Sequence, residues 1–156
     1  MRWQFVLGAD LSSRLVAWYG QGYGGWSHVD AVLSDGSLLG ARSDTIKDIA
    51  PGVRIRPPNY EPWTRAMVLT LKATPREDAA WESYLHSQIG HGYDKADIWG
   101  FILGKPLESP GHWICSALQL NALQVIGRLH KLCITPQQCP PNMFSVILST
   151  LGAKPS

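Results

Sequence analysis

Nowhere in this chain do two Lys or Arg residues stand side by side, and no apolar run reaches the roughly 18 residues needed for a membrane-crossing helix. The first absence removes the polybasic tract that marks many nucleic-acid or anionic-surface binders. The 14 Lys and Arg are dispersed, nearly balanced by 12 Asp and Glu, and not interleaved with aromatics along one stripe. No nucleic-acid partner is therefore expected, and no transmembrane segment. Cysteine is scarce as well: three, an odd number, which argues against a disulfide framework. The glycines at 20–25 lack the Gly-Lys-Ser/Thr ending of a phosphate loop. The first residues, Met1 to Leu7, form an apolar stretch too short for a signal sequence and soon broken by Asp10. The expectation is cytoplasmic synthesis without a signal peptide.

What is present is a foldable composition. Apolar residues make up 45% of 156 positions and include seven Trp, enough to bury a core in a single domain spanning 1–156. Residues 11–19 read as a short helix ended by the glycine cluster that follows. Trp26 to Ser34 and Ser37 to Ser43 flank Asp35-Gly36, the signature of a two-residue type I′ hairpin. Further short strands are expected at 53–56 and 66–71. Thr74-Pro75-Arg76-Glu77 carries both a capping box and an N1 proline, predicting a helix to about Ile89 that stops at Gly90. A helix is expected over 94–103, another from Cys115 to about Lys131, and a last one over 142–151. The 115–131 helix shows an apolar stripe of Leu118, Ala122, Val125, Leu129 and Leu132. Strands and helices are segregated, which predicts an α+β domain with a small antiparallel sheet packed against helices.

Cys115 is the position most suggestive of chemistry. It follows a Pro-Gly loop and opens a long predicted helix. The partial positive charge of a helix N-terminus favours a thiolate, and its free N–H groups can hold an oxyanion. The alternative is a small buried hydrophobe, the commonest fate of a lone cysteine. His28, near the start of the first hairpin strand, is held rigidly enough to act as the base for such a thiol. A zinc set of His112, Cys115, Cys133 and Cys139 has suitable donors, but a whole helix separates its halves and neither half is a tight knuckle. No metal and no cofactor are expected. Cys133 and Cys139 could pair under oxidising conditions, with free thiols the plainer reading.

Two blocks resemble a known family. Ser27-His28-Val29, Ala31-Val32 and Asp35-Gly36 are similar to the hairpin of NlpC-type papain-like amidases. Tyr93-Asp94, Gly100-Phe101 and Trp113-Ile114-Cys115-Ser116-Ala117-Leu118 resemble the nucleophile block of the permuted, YiiX-like branch. Ser12 to Val16 and Thr135-Pro136 are similar to that branch too, so the likeness spans most of the chain. His28 precedes Cys115 by 87 residues, the order that circular permutation requires. The resemblance implies a circularly permuted papain-like fold and a cysteine peptidase or amidase with Cys115 as nucleophile and His28 as base. Departures are Ala117, where the family commonly has Glu, and Gly40. The family's histidine-orienting residue comes from the neighbouring strand, 12 to 16 positions after the histidine, and glycine has no side chain for the task.

Counting outward from a two-residue turn puts Ser43 opposite His28. Asp44 is the preferred third residue, because a carboxylate stabilises an imidazolium better than a hydroxyl. Ser43 is an alternative, as is Asp30, two positions from His28 on the same strand face. Tyr23 and Tyr93 are candidate substrate-binding residues; Tyr23 could equally pack, and Asp94 could simply cap a helix. The resemblance points to peptidoglycan stem peptides as substrate and to a phage or prophage setting, with the protein released by lysis or carried in a virion. Two alternatives stay open: a thioesterase or acyltransferase on lipid acyl groups, and a catalytically inactive cell-wall-binding or virion module.

Overall fold

The computed structural model describes residues 1–8, 25–93, 112–130 and 136–156. Within them a six-stranded, fully antiparallel sheet and three α-helices form an α+β architecture. The strands are β1 (Arg2–Leu7), β2 (His28–Val32), β3 (Leu38–Arg42), β4 (Gly52–Arg56), β5 (Arg65–Thr70) and β8 (Lys154–Pro155). Their order across the sheet is β4-β3-β2-β1-β5-β8. A separate parallel pair joins β6 (Gly92–Tyr93) to β7 (His112–Trp113). The helices are α1 (Pro75–Ser87), α2 (Cys115–Val125) and α3 (Pro141–Thr150). No helix among the described residues is long and apolar enough to cross a membrane.

The sequence reading omitted β1, although β1 is central and pairs along its length with both β2 and β5. Its first four residues alternate, with Trp3 and Phe5 buried and Arg2 exposed, but the alternation breaks at Val6-Leu7 and the run is short. Trp3 stands edge-on to Trp81 of α1 and to Phe144 of α3, with centroids 5.3 and 5.9 Å away. Phe5, Val29, Ala31, Leu39, Ala41 and Val53 continue this face of the sheet into the core, where Leu118, Leu120 and Leu123 of α2 meet them. The expected capping box of α1 is present, with Thr74 and Glu77 each bonded to the other's backbone N–H.

Helix α2 departs from expectation at its far end. It stops at Val125 rather than near Lys131. Gly127, with φ +75°, lets its own N–H bond to Gln124 and that of Arg128 to Leu123, a Schellman closure. Val125 consequently sits 58% exposed, outside the stripe assigned to it. The N-terminal half is the buried part: every side chain from Cys115 to Leu120 is inside. Gln119 there ties helix to sheet, accepting from Trp3 Nε1 and donating to the Leu39 carbonyl, both at 3.1 Å.

The first hairpin is also closed differently. Leu33 N–H bonds to the Ser37 carbonyl at 2.9 Å, which makes the loop three residues, Ser34-Asp35-Gly36. Only its last residue is left-handed (Gly36, φ +85°), so this is a turn with a glycine bulge and not type I′. Asp35 secures it by accepting from the Ser37 N–H at 2.8 Å. The extra residue slips the register by one, and a one-residue slip changes every cross-strand neighbour. Ala31 pairs with Leu39 and Val32 with Leu38. Continuing that register sets Gly40 across from Asp30, and Arg42, not Ser43, across from His28.

Candidate active site

Strand β2 pairs with β1 from His28 onward, and β3 pairs with β4 up to Arg42. Between β2 and β3, however, the ladder ends at Ala31 and Leu39. The sheet is therefore open beside residues 28–30, and the first turn of α2 lies over the opening. There the Val29 N–H, which a complete ladder would have used, donates to the Cys115 sulfur. The same sulfur is hydrogen-bonded with the His28 ring. Cys115 is 5% exposed and His28 8%, enclosed yet still touched by solvent.

The other side of the imidazole is equally defined. His28 Nε2 lies 2.8 Å from Asp30 Oδ1, which leaves Nδ1 as the nitrogen available to the thiol. Asp30 is 2% exposed. Its second oxygen, Oδ2, accepts from the Tyr60 hydroxyl at 2.8 Å. Asn59, left-handed at φ +54°, turns the chain after Pro57-Pro58 so that Tyr60 folds back beneath the sheet. Tyr60 in turn accepts from Arg42 at 3.1 Å, and Arg56, almost wholly buried, lies under the same ring.

The carboxylate that meets the His28 ring is Asp30, the alternative, and not the preferred Asp44. Asp44 is exposed and chelates the Arg42 guanidinium through both oxygens, at 2.8 and 2.9 Å, and feels His28 only as a distant charge. Ser43 lies past the end of β3. The missing side chain at position 40, which looked like a defect, is what admits Asp30. A Cβ built on Gly40 would lie 1.9 Å from Asp30 Oδ1 and 3.0 Å from its Cγ. The carboxylate that a neighbouring strand would present is supplied instead from the histidine's own strand, in the space a glycine leaves. Gly40→Ala is accordingly expected to displace Asp30 and to lower the rate of Cys115 alkylation by iodoacetamide at pH 6 by about tenfold or more, the size of losing one well-placed charge-assisted hydrogen bond. An unchanged rate in a folded variant would refute that role for the glycine.

Four buried ionisable groups, Cys115, His28, Asp30 and Arg56, meet here. Burial works against His28 carrying a proton, but the Asp30 carboxylate and the Cys115 sulfur outweigh it and push its pKa up to about 9. Burial likewise opposes ionisation of Cys115, and the charge and hydrogen bond of His28 overcome it, holding the thiol below its ordinary value. Asp30 is held low, against burial, by His28, Arg56 and the Tyr60 hydroxyl. The cations of His28 and Arg56 thus face the Asp30 carboxylate and a thiol biased toward ionisation, which is how such groups tolerate burial. By contrast Cys139, fully buried, is pushed up to about 12 by burial, with the Cys115 charge adding to it. Of the two described cysteines, both free, only Cys115 is set up to react.

Helix α2 is capped by Ile114, which offers no side-chain bond to the first turn. The N–H groups of Cys115 and Ser116 are therefore free of any side-chain cap, beside the sulfur, where a developing oxyanion would lie. Ser116 Oγ is turned away, donating to the Cys139 carbonyl at 2.5 Å. Tyr93 is half-buried on β6 and pairs with Trp113, two residues ahead of Cys115 in the chain. Tyr23, Cys133, and the expected helices at 11–19 and 94–103 lie outside the described residues. Among those described, no group of three or more His, Cys, Asp or Glu is arranged to hold a metal.

Tyr60, Arg42 and Arg56 were not foreseen. Arg42 and Arg56 each sit in predicted strands, but nothing in their spacing distinguishes a buried guanidinium from a surface one. Tyr60 follows a proline pair in a segment without periodicity, and only the folded chain brings it to Asp30. No family model matches this chain, and no curated protein matches it.

Proposed function

We propose that this protein is a cysteine hydrolase that cleaves amide or peptide bonds by acyl transfer, on a circularly permuted papain-like fold. The observation that carries the reading is the continuous array Cys115–His28–Asp30, nucleophile to base to orienting carboxylate. Cys115 thiolate attacks the carbonyl carbon, and the displaced electron pair settles on oxygen beside the N–H groups of residues 115 and 116. His28 gives its proton to the leaving nitrogen as the C–N bond breaks. A water then attacks the thioester, His28 takes its proton, and the acid departs as the thiolate returns.

The substrate class favoured by the sequence resemblance is the stem peptide of bacterial peptidoglycan, and the setting a lytic or virion-borne one. The test is incubation with purified peptidoglycan and, separately, with short acyl esters and thioesters. New amino termini from peptidoglycan, lost after alkylation of Cys115, are expected. Turnover of acyl esters alone would move the protein to a lipid thioesterase or acyltransferase. Binding to cell wall without any cleavage would make it an inactive binding module.

A further inference from the structure

We infer that Tyr60 is a positioning residue of this site, its hydroxyl holding the Asp30 carboxylate in the orientation that keeps His28 paired with Cys115. The inference rests on the Cys–His reading above and adds a fourth member to it. A carboxylate with one oxygen on an imidazole can still rotate about its last bond. Here rotation is stopped, because Oδ1 is on His28 Nε2 and Oδ2 on the Tyr60 hydroxyl, each at 2.8 Å. Gly40 packs against the same carboxylate from the facing strand.

Tyr60 is itself immobile. It is 1% exposed, meets Trp63 edge-on at 5.0 Å, and lies between the guanidinium groups of Arg42 and Arg56, 5.5 and 5.7 Å from its ring centre. Arg42 Nη1 donates to the Tyr60 oxygen, which commits the hydroxyl hydrogen to Asp30. Arg42 is anchored in turn by Asp44 and by Glu61 at 3.0 Å. The exposed Asp44 thus reaches the site after all, at the far end of a line running Asp44, Arg42, Tyr60, Asp30, His28. Such a line fixes an imidazole without any of its outer members touching substrate.

Two roles for Tyr60 separate cleanly. If only its ring matters, Tyr60→Phe keeps the stacking on both arginines and changes nothing, while Tyr60→Leu is damaging. If the hydroxyl positions Asp30, Tyr60→Phe is damaging by itself. The readout is the rate of Cys115 alkylation by iodoacetamide across pH 4 to 9, which needs no knowledge of the substrate. The wild-type protein is expected to react well below the ordinary thiol range. In Tyr60→Phe the acid limb of that profile is expected to move up by about one pH unit, because an Asp30 carboxylate free to turn holds the His28 charge beside Cys115 less well and the thiol ionises less readily. A Tyr60→Phe profile that overlays the wild type overturns the assignment and leaves the Cys–His pair standing. A wild type without low-pH reactivity overturns the pair itself. Should Tyr60→Phe fail to fold, replacing tyrosine with 3-fluorotyrosine strengthens the donor while keeping the ring. The acid limb is then expected to move down, and a limb that stays or rises overturns the proposal.

Discussion

Cys115→Ser is expected to abolish hydrolysis, with a loss on the order of 10⁴-fold or more, the scale found when the nucleophile of such an array is removed. The replacement is nearly isosteric, so far-ultraviolet circular dichroism should be unchanged. The reason for so large a loss lies in ionisation. A serine hydroxyl is far harder to ionise than a thiol, and the His28 charge and hydrogen bond hold the Cys115 thiol below its ordinary value. The same ionisation fixes the pH behaviour. Cys115 is held below its ordinary pKa, so alkylation should persist into mildly acidic solution and decline only below that depressed value. On the alkaline side the limit is His28. Its pKa rises from 6.5 to about 9 on folding, so its contribution to stability is fully present below pH 6.5. That contribution is lost as the pH rises through about 9, where the ring deprotonates and Asp30 loses its partner. A wild-type thiol that reacted only above pH 8 would remove the basis of both statements.

Asp30→Ala is expected to be the second most damaging change. It leaves His28 without its partner on Nε2, Tyr60 without its acceptor, and Arg56 without its nearest countercharge. Breaking one member of a buried charge set costs about 3–5 kcal/mol, because the others remain buried and unbalanced. Chemical denaturation should show that loss of stability. Activity should fall by roughly 10³ to 10⁴, since an imidazole that is neither charged nor oriented is a poor partner for the thiol. Asp30→Asn keeps the shape and separates the two effects: most stability should return, but not the activity. Asp44→Ala provides the contrast. It removes an exposed carboxylate from the largely buried Arg42, which keeps Glu61, and its effect should be small beside that of Asp30→Ala. Equal losses from the two would restore Asp44 to the third position.

The contrast between Asp30 and Asp44 shows where reading the sequence succeeds and where it stops. Cys115 could be singled out because helix starts are local: a Pro-Gly loop ahead of an apolar run points to a helix N-terminus whatever the tertiary fold. The capping box of α1 is local in the same sense. His28 depended on the hairpin, and the hairpin was correct except for the size of its turn. That single residue moved the facing position from Ser43 to Arg42 and hid the fit between Asp30 and Gly40. Turn type is decided by the sign of φ at Asp35, which is positive in a type I′ turn and is not positive here, and Asp-Gly permits both. The central strand β1 shows alternation only over Arg2 to Phe5, too short a stretch at the chain start to stand out as a strand. Tyr60 had no local signal at all, since its role exists only in three dimensions.

The array is assembled from residues 28, 30, 60 and 115, and a ribosome releases them in that order. The imidazole, its carboxylate and the tyrosine clamp are all available before the thiol emerges. Until α2 docks over the gap beside Val29, Cys115 has no cation at its side and behaves as an unremarkable cysteine. An unfolded copy of this chain would therefore carry only an ordinary thiol at position 115, the shift below the usual value belonging to the folded protein alone.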